Sequence, residues 1–167
     1  MKKIYTGVFC CILISIQSFS QTWNGSVSSD WNTATNWTPN NVPSTSGNVI
    51  INSAVATYQP ILPGNVSIRT LNMSAGFLNL NGSTLTCSVS ATLTGDSLYN
   101  GKISSATFND LSNMHMGGKI ILDRTGSANE WWQGKNKFYG DSLTIIWRSG
   151  SLYMENAASS PDSIFGT

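Results

Sequence analysis

The chain has 167 residues, with 9 Lys and Arg, 8 Asp and Glu, and 10% charged residues in total, against about a quarter in an average soluble protein. A near-neutral surface of this kind does not hold a polyphosphate backbone by counterion release, so nucleic-acid binding is disfavoured. Residues 21–167 contain 22 Ser, 15 Thr and 17 Asn. These residue types compete for helical backbone hydrogen bonds, so a helical bundle is disfavoured as well.

The amino terminus has the organisation of an export signal. Two lysines precede an apolar run from Val8 to Ile16, and Ser18 and Ser20 supply small residues at the −3 and −1 positions before Gln21. This order predicts a secretory signal peptide over residues 1–20 and a secreted or outer cell-surface location. The apolar run is much shorter than the roughly 20 residues that cross a bilayer, so we expect no membrane span in the mature chain.

Cys87 is the only cysteine outside the predicted signal peptide. A secreted domain with a single cysteine forms no internal disulfide and depends on its hydrophobic core and backbone hydrogen bonds. Cys87 alternates with polar neighbours in phase with Leu85 and Val89, which predicts a small buried hydrophobic residue rather than a nucleophile.

Three zones follow the signal peptide. Residues 21–48 are rich in Trp and in turn residues, residues 49–106 contain short apolar alternations separated by Gly and Asn, and residues 107–167 contain a degenerate repeat. The alternation over residues 66–73 slips by one residue at Arg69–Thr70, which predicts a β-bulge or a corner between short strands. Since no stretch of the mature chain has the apolar spacing of an amphipathic helix over three turns, we predict strands only.

The repeat is centred on phenylalanine. Phe108, Phe138 and Phe165 are 30 and 27 residues apart, and an apolar strand follows each of the first two. Self-similarity at this period is typical of stacked repeats.

Many short strands with a repeat predict an all-β parallel solenoid over residues 49–167, preceded by a Trp-rich amino-terminal cap over residues 21–48. A coil of about 25 residues gives about five coils, with Gly and Asn at the corners, where positive φ is required. The repeat begins again at Phe165, so we expect the sequence to be truncated at its carboxyl end. The alternative is a short protein whose last coil is covered by oligomerisation. The expected inward ladder comprises Ile68, Leu71, Leu78, Leu80, Leu85, Leu93, Ile103, Ile121, Leu143 and Ile145.

A resemblance to a known group of proteins rests on five segments: Trp23-Asn24-Gly25, Asp30-Trp31-Asn32, Val42-Pro43, Asn48-Val49-Ile50-Ile51 and Leu78-Asn79-Leu80-Asn81-Gly82. Over residues 22–167 the chain resembles large secreted surface proteins of Bacteroidetes-type bacteria. The resemblance implies a right-handed parallel β-helix similar to haemagglutinin-type adhesins. Many such proteins end in a carboxyl-terminal sorting domain, and none is recognisable in this sequence.

The resemblance also implies a covalent modification, the O-glycosylation of serine. Ser97, Ser142 and Ser163 each follow an Asp and precede an apolar residue, as in the short O-glycosylation acceptor pattern that the resemblance implies. The alternative is that each Asp-Ser pair is a turn that leads into a strand.

Candidate catalytic groups are sparse. The eight carboxylates of the mature chain are spread thinly, and His115 has no second His or Cys nearby, so the sequence predicts no catalytic residue, no metal site and no cofactor. Asp123–Arg124 is interpreted as a surface ion pair at a coil corner.

Aromatic residues are the best candidates for ligand contact. Trp131 and Trp132 lie in a polar stretch close to Tyr139. On a strand the two Trp rings point to opposite faces, so at least one is expected to be exposed, where it can stack on a sugar. The alternative is that one ring packs in the core while the other covers a coil edge. Trp23, Trp31 and Trp37 are expected to form the small core of the cap.

These observations favour a non-catalytic, secreted or cell-surface structural or adhesive repeat protein. Its expected partners are surface glycans or other cell-surface proteins. The first alternative is a carbohydrate-binding module that uses Trp131, Trp132 and Tyr139. The second is the remnant of a polysaccharide-active β-helix enzyme, which needs a carboxylate cluster on one face.

Overall fold

A computed structural model of the chain describes residues 20–127, 130–132, 136–149, 152–154 and 163–165. Its only helical element within those ranges is a 3-10 turn, Ala34–Asn36, and everything else with regular structure is strand. The predicted signal peptide lies outside the described residues apart from Ser20, which begins the first strand. The strands are β1 Ser20–Trp23, β2 Trp37–Thr38, β3 Asn48–Asn52, β4 Val66–Ala75, β5 Phe77–Asn79, β6 Thr84–Arg124, β7 Glu130–Trp132, β8 Lys137–Trp147, β9 Leu152–Met154 and β10 Ser163–Phe165.

The strands pair in parallel. The main sheet runs in the order β10-β8-β6-β4-β3-β1-β2, β5 pairs with β6 beside this path, and β7 and β9 form a separate two-stranded sheet. Every neighbouring pair is parallel except β1 with β2. The chain is therefore a parallel β-solenoid of about five turns, as predicted. Its handedness stays a prediction.

One column of the sheet gives the length of successive coils. Gln21 pairs with Val49, Val49 with Leu71, and Leu71 with Ala91. The differences between these residue numbers are 28, 22 and 20, which bracket the predicted value of about 25.

The corners are formed by residues with a left-handed backbone. Strand β6 has 41 residues and would be about 135 Å long if straight, so it must turn several times. Asn100 and Gly118 within β6, and Asn81 just before it, have φ values of 50°, 68° and 52°. Gly and Asn tolerate this conformation better than other residues, and the corner chemistry predicted from the sequence is confirmed.

The core is one continuous cluster of buried side chains that runs from the Trp-rich segment to Phe138. Leu143 and Ile145 are partly buried against it. Seven further residues of the predicted inward ladder are almost completely buried: Ile68, Leu71, Leu78, Leu80, Leu85, Leu93 and Ile103.

One residue of the predicted inward ladder, Ile121, is wrong, and Val89, which the sequence placed in phase with Cys87, is exposed. Ile121 is only half-buried, because the inward residues on this part of β6 are Met116, Ile120 and Leu122, which places Ile121 on the opposite face. Val89 is 43% exposed. Across the register shift beside Val89, the inward positions of β4 change phase from Ile68 to Leu71 and Met73, as expected at a bulge.

The shift beside Val89 is the one that the sequence predicted at Arg69–Thr70. Ile68 pairs with Cys87, whereas Thr70 pairs with Ser90, so two residues of β4 span three residues of β6. The predicted bulge is therefore confirmed, and its effect on the opposite strand moves Val89 to the surface.

The phenylalanine repeat does not set the stacking. Phe138 pairs with Met116 on one side and with Ile164 on the other, not with Phe108 and Phe165. Coils of unequal length place residues with similar local sequence at different heights, so the repeat predicted the architecture but not the register.

The Trp-rich segment covers one end of the sheet. β2 runs antiparallel to β1 and forms the outermost strand, and with two residues it leaves little edge for further pairing. The rings of Trp23 and Trp31 each contact Trp37 edge-on, with centroids 4.9 and 4.7 Å away. The predicted Trp core is therefore confirmed, and it merges with the solenoid core.

A buried asparagine organises the loop beside these rings. The Asn36 side chain accepts hydrogen bonds from the backbone N–H groups of Val27 and Ser28 and donates to the Asp30 carbonyl. A buried amide with satisfied hydrogen bonds fixes a loop in one conformation.

As for membrane insertion, the described ranges contain no helix of sufficient length and hydrophobicity to span a bilayer.

Candidate functional site

Tyr139, one of the three predicted ligand-contact residues, lies on β8 of the main sheet and is 50% exposed. Trp131 and Trp132 lie on β7, whose only strand partner among the described residues is β9. The side chains of these two tryptophans lie outside what the structure describes. The structure therefore assigns the three candidates to two different sheets.

Tyr139 has aromatic neighbours that the sequence did not predict. Together with Tyr139 they form what we call the aromatic strip, which follows one outer face of the solenoid and comprises Phe77, Tyr99, His115 and Tyr139. Phe77, Tyr99 and Tyr139 each adjoin a buried residue of the core: Leu78, Leu98 and Phe138. Because successive residues of a strand point to opposite faces, burial of these neighbours turns the strip residues outward.

Contacts between coils hold the strip together. The rings of Phe77 and Tyr99 stack with centroids 4.8 Å apart and planes inclined by 29°. The ring of Tyr99 extends over Gly117 on the next coil, where a Cβ would meet the Tyr99 Cδ1 atom at 2.8 Å. Gly117 in turn pairs with Tyr139, whose ring meets His115 edge-on at 6.0 Å. Aromatic groups thus follow the solenoid axis from coil to coil.

This arrangement suits contact with a flat apolar surface. Partly exposed aromatic rings offer an apolar face for stacking and a polar hydroxyl for hydrogen bonding. Parallel coils place such groups about 4.8 Å apart per step, so the strip can contact successive units of an extended ligand. A pyranose ring presents C–H groups on one face and hydroxyls at its rim, and fits this chemistry.

The sequence contained only part of the signal for the strip. The alternation of Leu78 with Phe77 and of Leu98 with Tyr99 marks these aromatics as outward-facing. Their proximity depends on the stacking register, in which Asn79 pairs with Tyr99. That register was not readable from a degenerate repeat, so the residues were missed.

The predicted glycosylation acceptors lie within strands rather than in turns. Ser97 belongs to β6 and pairs with Phe77, and Ser142 belongs to β8 and pairs with Lys119. Ser163 is the first residue of β10, and its side chain lies outside the described residues. Modification at the three serines stays a prediction.

Asp123 is the centre of an ion-pair cluster. The prediction of a surface pair with Arg124 is wrong, because Asp123 and Arg124 are 1% and 0% exposed. The Lys102 ammonium lies 2.6 Å from Asp123 Oδ2, and the Arg148 guanidinium donates to both carboxylate oxygens, at 3.2 and 2.9 Å. The partners come from neighbouring coils, 21 and 25 positions away in sequence, and cover a carboxylate that would otherwise face solvent.

Arg124 is paired separately. Its guanidinium carbon lies 4.6 Å from the centre of the Trp147 ring, and Nη1 donates to the carbonyl groups of Gly126 and Ser149. A guanidinium can be buried here because an aromatic face and carbonyl oxygens replace its water. Arg124 therefore links the ends of two neighbouring coils.

Burial and ion pairing act in opposite directions on the pKa of Asp123. Burial raises this pKa. Hydrogen bonds from Lys102 and Arg148, together with their positive charges, lower it by a larger amount, so the pKa lies below its ordinary value. The carboxylate is therefore ionised at neutral pH and stabilises the stacked coils.

Cys87 is buried at 1% exposure, as predicted. Burial raises the pKa of its thiol to about 12, opposed in part by a hydrogen bond with the backbone of Leu71. Since the thiolate is the reactive form, this thiol is inert at neutral pH. Across the described ranges, no group of three or more His, Cys, Asp or Glu residues could hold a metal ion.

Comparison with known proteins gives one match. A family model described as a domain of unknown function (DUF8693) matches residues 22–128, which is more than half of the chain. No curated protein and no solved structure has significant similarity to the chain.

Proposed function

The chain belongs to this domain family of unknown function, and we propose that it is a non-catalytic, secreted or cell-surface structural repeat protein with an adhesive role. The observation that carries the proposal is the single core running through parallel coils. Stacked coils that share one core make a stiff column, whose length is set by the number of repeats.

The charged groups support a structural role. Asp123, the buried carboxylate, is held by two cations from neighbouring coils, and Arg124 is held by an aromatic ring and two carbonyls. Both residues therefore serve to join coils. The exposed small polar residues leave a surface that is close to neutral at pH 7.

Export is tested with the full chain carrying a carboxyl-terminal epitope tag in a bacterium of the Bacteroidetes type. We expect the amino terminus of the recovered protein to be Gln21 and the tag to be accessible to antibody or protease on intact cells. An uncleaved protein in the cytoplasm would contradict the proposed location.

The aromatic strip supports contact with carbohydrate as a second candidate function. We infer that Phe77, Tyr99 and Tyr139 stack on sugar rings of a surface glycan. Tyr139 carries the sharpest test because it is half-exposed and its removal leaves the core intact.

Binding of the mature chain to immobilised glycans tests this contact. Tyr139→Ala should weaken binding about tenfold, since one aromatic contact contributes about 0.5–1.5 kcal/mol beyond the area that it buries. Tyr58→Ala is the matched control, because Tyr58 is similarly exposed at 42% but lies outside the strip. Equal loss in both variants, or loss in neither, would exclude a role of the strip.

A further inference from the structure

A groove lies beside the aromatic strip, just past one corner of the solenoid. It has a volume of about 360 Å³ and is lined by two lysines, three small or amide residues at the corner, and two strand residues: Lys102, Lys119, Gly82, Asn100, Gly101, Thr84 and Ile121. The strip and the groove share the same stretches of chain. Tyr99 precedes Asn100, and Gly117, which lies under the Tyr99 ring, is two residues before Lys119.

Glycine at the corner allows two coils to approach closely beside the groove. Gly101 approaches the preceding coil so closely that a Cβ would lie 2.5 Å from Leu80 Cβ and 2.6 Å from the Ser83 carbonyl oxygen. A Cβ at Gly82 would meet no atom within 4 Å, so this position faces open space. The groove is thus formed by backbone at the corner and is bounded by longer side chains on the strands.

The charge of the groove is positive. Its lining includes two lysines and no acidic residue. Lys102 also contacts Asp123, which is shared with Arg148, so these three groups carry a net charge of +1. Lys119, which is exposed, adds a second positive charge. On a mature chain whose formal charge is −1, this is a local concentration of cations.

We propose that the groove binds the acidic groups of a polysaccharide, either carboxylates or sulfates, while the aromatic strip around the corner contacts its sugar rings. This inference rests on the proposed contact with carbohydrate and names its class. Lys119 and Lys102 attract the anion, and the Asn100 amide at the corner offers hydrogen bonds to neighbouring hydroxyls. A groove open at the surface admits a polymer that continues past either side.

The experiment measures binding of the mature chain to three immobilised polymers. Dextran sulfate carries sulfates and no carboxylates, polygalacturonate carries carboxylates and no sulfates, and dextran is neutral. We expect binding to one or both acidic polymers to exceed binding to dextran at least tenfold, and to weaken as salt is raised, because the attraction is between exposed charges. The acidic polymer that is retained identifies the anion.

Lys119→Glu should reduce binding to the acidic polymers at least tenfold and leave binding to dextran unchanged. The matched control is Arg69→Glu, which reverses an exposed charge on β4 that contacts Asn48 Oδ1 at 3.2 Å and lies outside the groove. Both substitutions are on the surface, and unfolding curves that match the unmodified protein establish that each variant is folded.

The outcomes separate the two proposals. If dextran binds as well as the acidic polymers and Lys119→Glu has no effect, the groove inference is wrong while carbohydrate binding by the strip survives. If no polymer binds, both are wrong. If a single-stranded oligonucleotide binds as tightly as the acidic polymers, the groove responds to charge alone and the polysaccharide class is overturned.

Discussion

At the scale of single residues, the coils approach each other so closely that some positions accept only glycine. Gly140 lies directly against the backbone of Gly118, and a Cβ there would be 2.5 Å from the Gly118 nitrogen and 3.0 Å from its carbonyl carbon. Backbone atoms cannot move aside as the end of a flexible side chain can. The local requirement for glycine is therefore imposed by the neighbouring coil rather than by φ.

We predict that Gly140→Ala destabilises the protein by about 1–3 kcal/mol, the usual cost of overpacking. Gly64→Ala is the control, because a Cβ at Gly64 meets nothing within 4 Å. Its effect should stay within about 0.5 kcal/mol, as for an ordinary surface substitution. Urea unfolding of the two variants measures the difference, and equal midpoints would contradict the close approach of the two coils.

The Asp123 cluster predicts a dependence of stability on pH. Because the folded-state pKa of Asp123 is lowered from 3.8, the carboxylate stabilises the folded state above about pH 4. That contribution is lost as the pH falls through the lowered folded-state pKa. Asp123→Asn should reduce the free energy of unfolding at pH 7 by about 1.5–3 kcal/mol, the range for hydrogen bonds to charged groups.

The pH dependence separates ion pairing from simple packing. Unfolding of the Asp123→Asn variant and of the unmodified protein is measured from pH 7 down to pH 2. The difference between the two stabilities should shrink as the pH falls below about 4, where Asp123 of the unfolded chain is protonated first and Asp123 of the folded protein follows at its lowered pKa. A difference that stays constant over the whole range would assign the effect of Asp123 to shape alone.

At the scale of elements, the Trp-rich segment is joined to the solenoid by its aromatic core. Trp37 is completely buried and donates a hydrogen bond of 2.8 Å from Nε1 to the Trp31 carbonyl, while Trp23 donates to the Tyr58 carbonyl. Each indole thus contributes apolar area and one satisfied polar group. The short antiparallel pair β1–β2 depends on this packing for its place at the end of the sheet.

Trp37→Ala should destabilise the protein by about 3–5 kcal/mol, the usual cost of deleting a large buried aromatic side chain. Val27→Ala in the same segment removes a side chain that is 55% exposed and should cost less than about 0.5 kcal/mol. Thermal unfolding followed by Trp fluorescence and by circular dichroism compares the two. A mild effect of Trp37→Ala would show that the segment is not part of the solenoid core.

The period-two pattern predicted the elements well wherever pairing is regular. Ile68, Leu71 and Leu93 face inward as expected, because a strand with one buried face alternates apolar and polar side chains, and the apolar ones face the core. Ile121 lies in an apolar run of three residues whose outer two, Ile120 and Leu122, face inward. Val89 is exposed because it lies in a bulge, and a bulge is set by the partner strand as much as by the local sequence. The phase slip at Arg69–Thr70 was therefore visible in the sequence of β4, whereas the extra residue that it places on the facing part of β6 was not.

The aromatic strip could be predicted only in part, for a related reason. The outward direction of Tyr99 follows from burial of Leu98, but its neighbours depend on coil length. Coils of 28, 22 and 20 residues along one column give no fixed offset at which to search for partners. Proximity across coils is a property of the stacked molecule, so Phe77 and His115 were missed, and Trp131 and Trp132 were grouped with Tyr139.

At the scale of the whole molecule, the account depends on neighbouring segments that run in the same direction. Ser67 pairs with Thr86, and Asn72, five residues farther along β4, pairs with Thr92. If the same two segments formed a hairpin instead, Ser67 would lie near Thr92 and Asn72 near Thr86. The two arrangements expose the same residues and have the same strand content, but they bring different pairs together.

Disulfide trapping distinguishes the two arrangements most directly. In a Cys87→Ala background, two variants carry a pair of cysteines at paired positions, either Ser67 and Thr86 or Asn72 and Thr92. Two further variants carry cysteines at crossed positions, either Ser67 and Thr92 or Asn72 and Thr86. Adjacent parallel strands place paired Cα atoms about 4.8 Å apart, within reach of a disulfide, whereas crossed pairs are about 16 Å apart. The parallel solenoid predicts rapid oxidation of the first two pairs only, and rapid oxidation of the crossed pairs alone would contradict it.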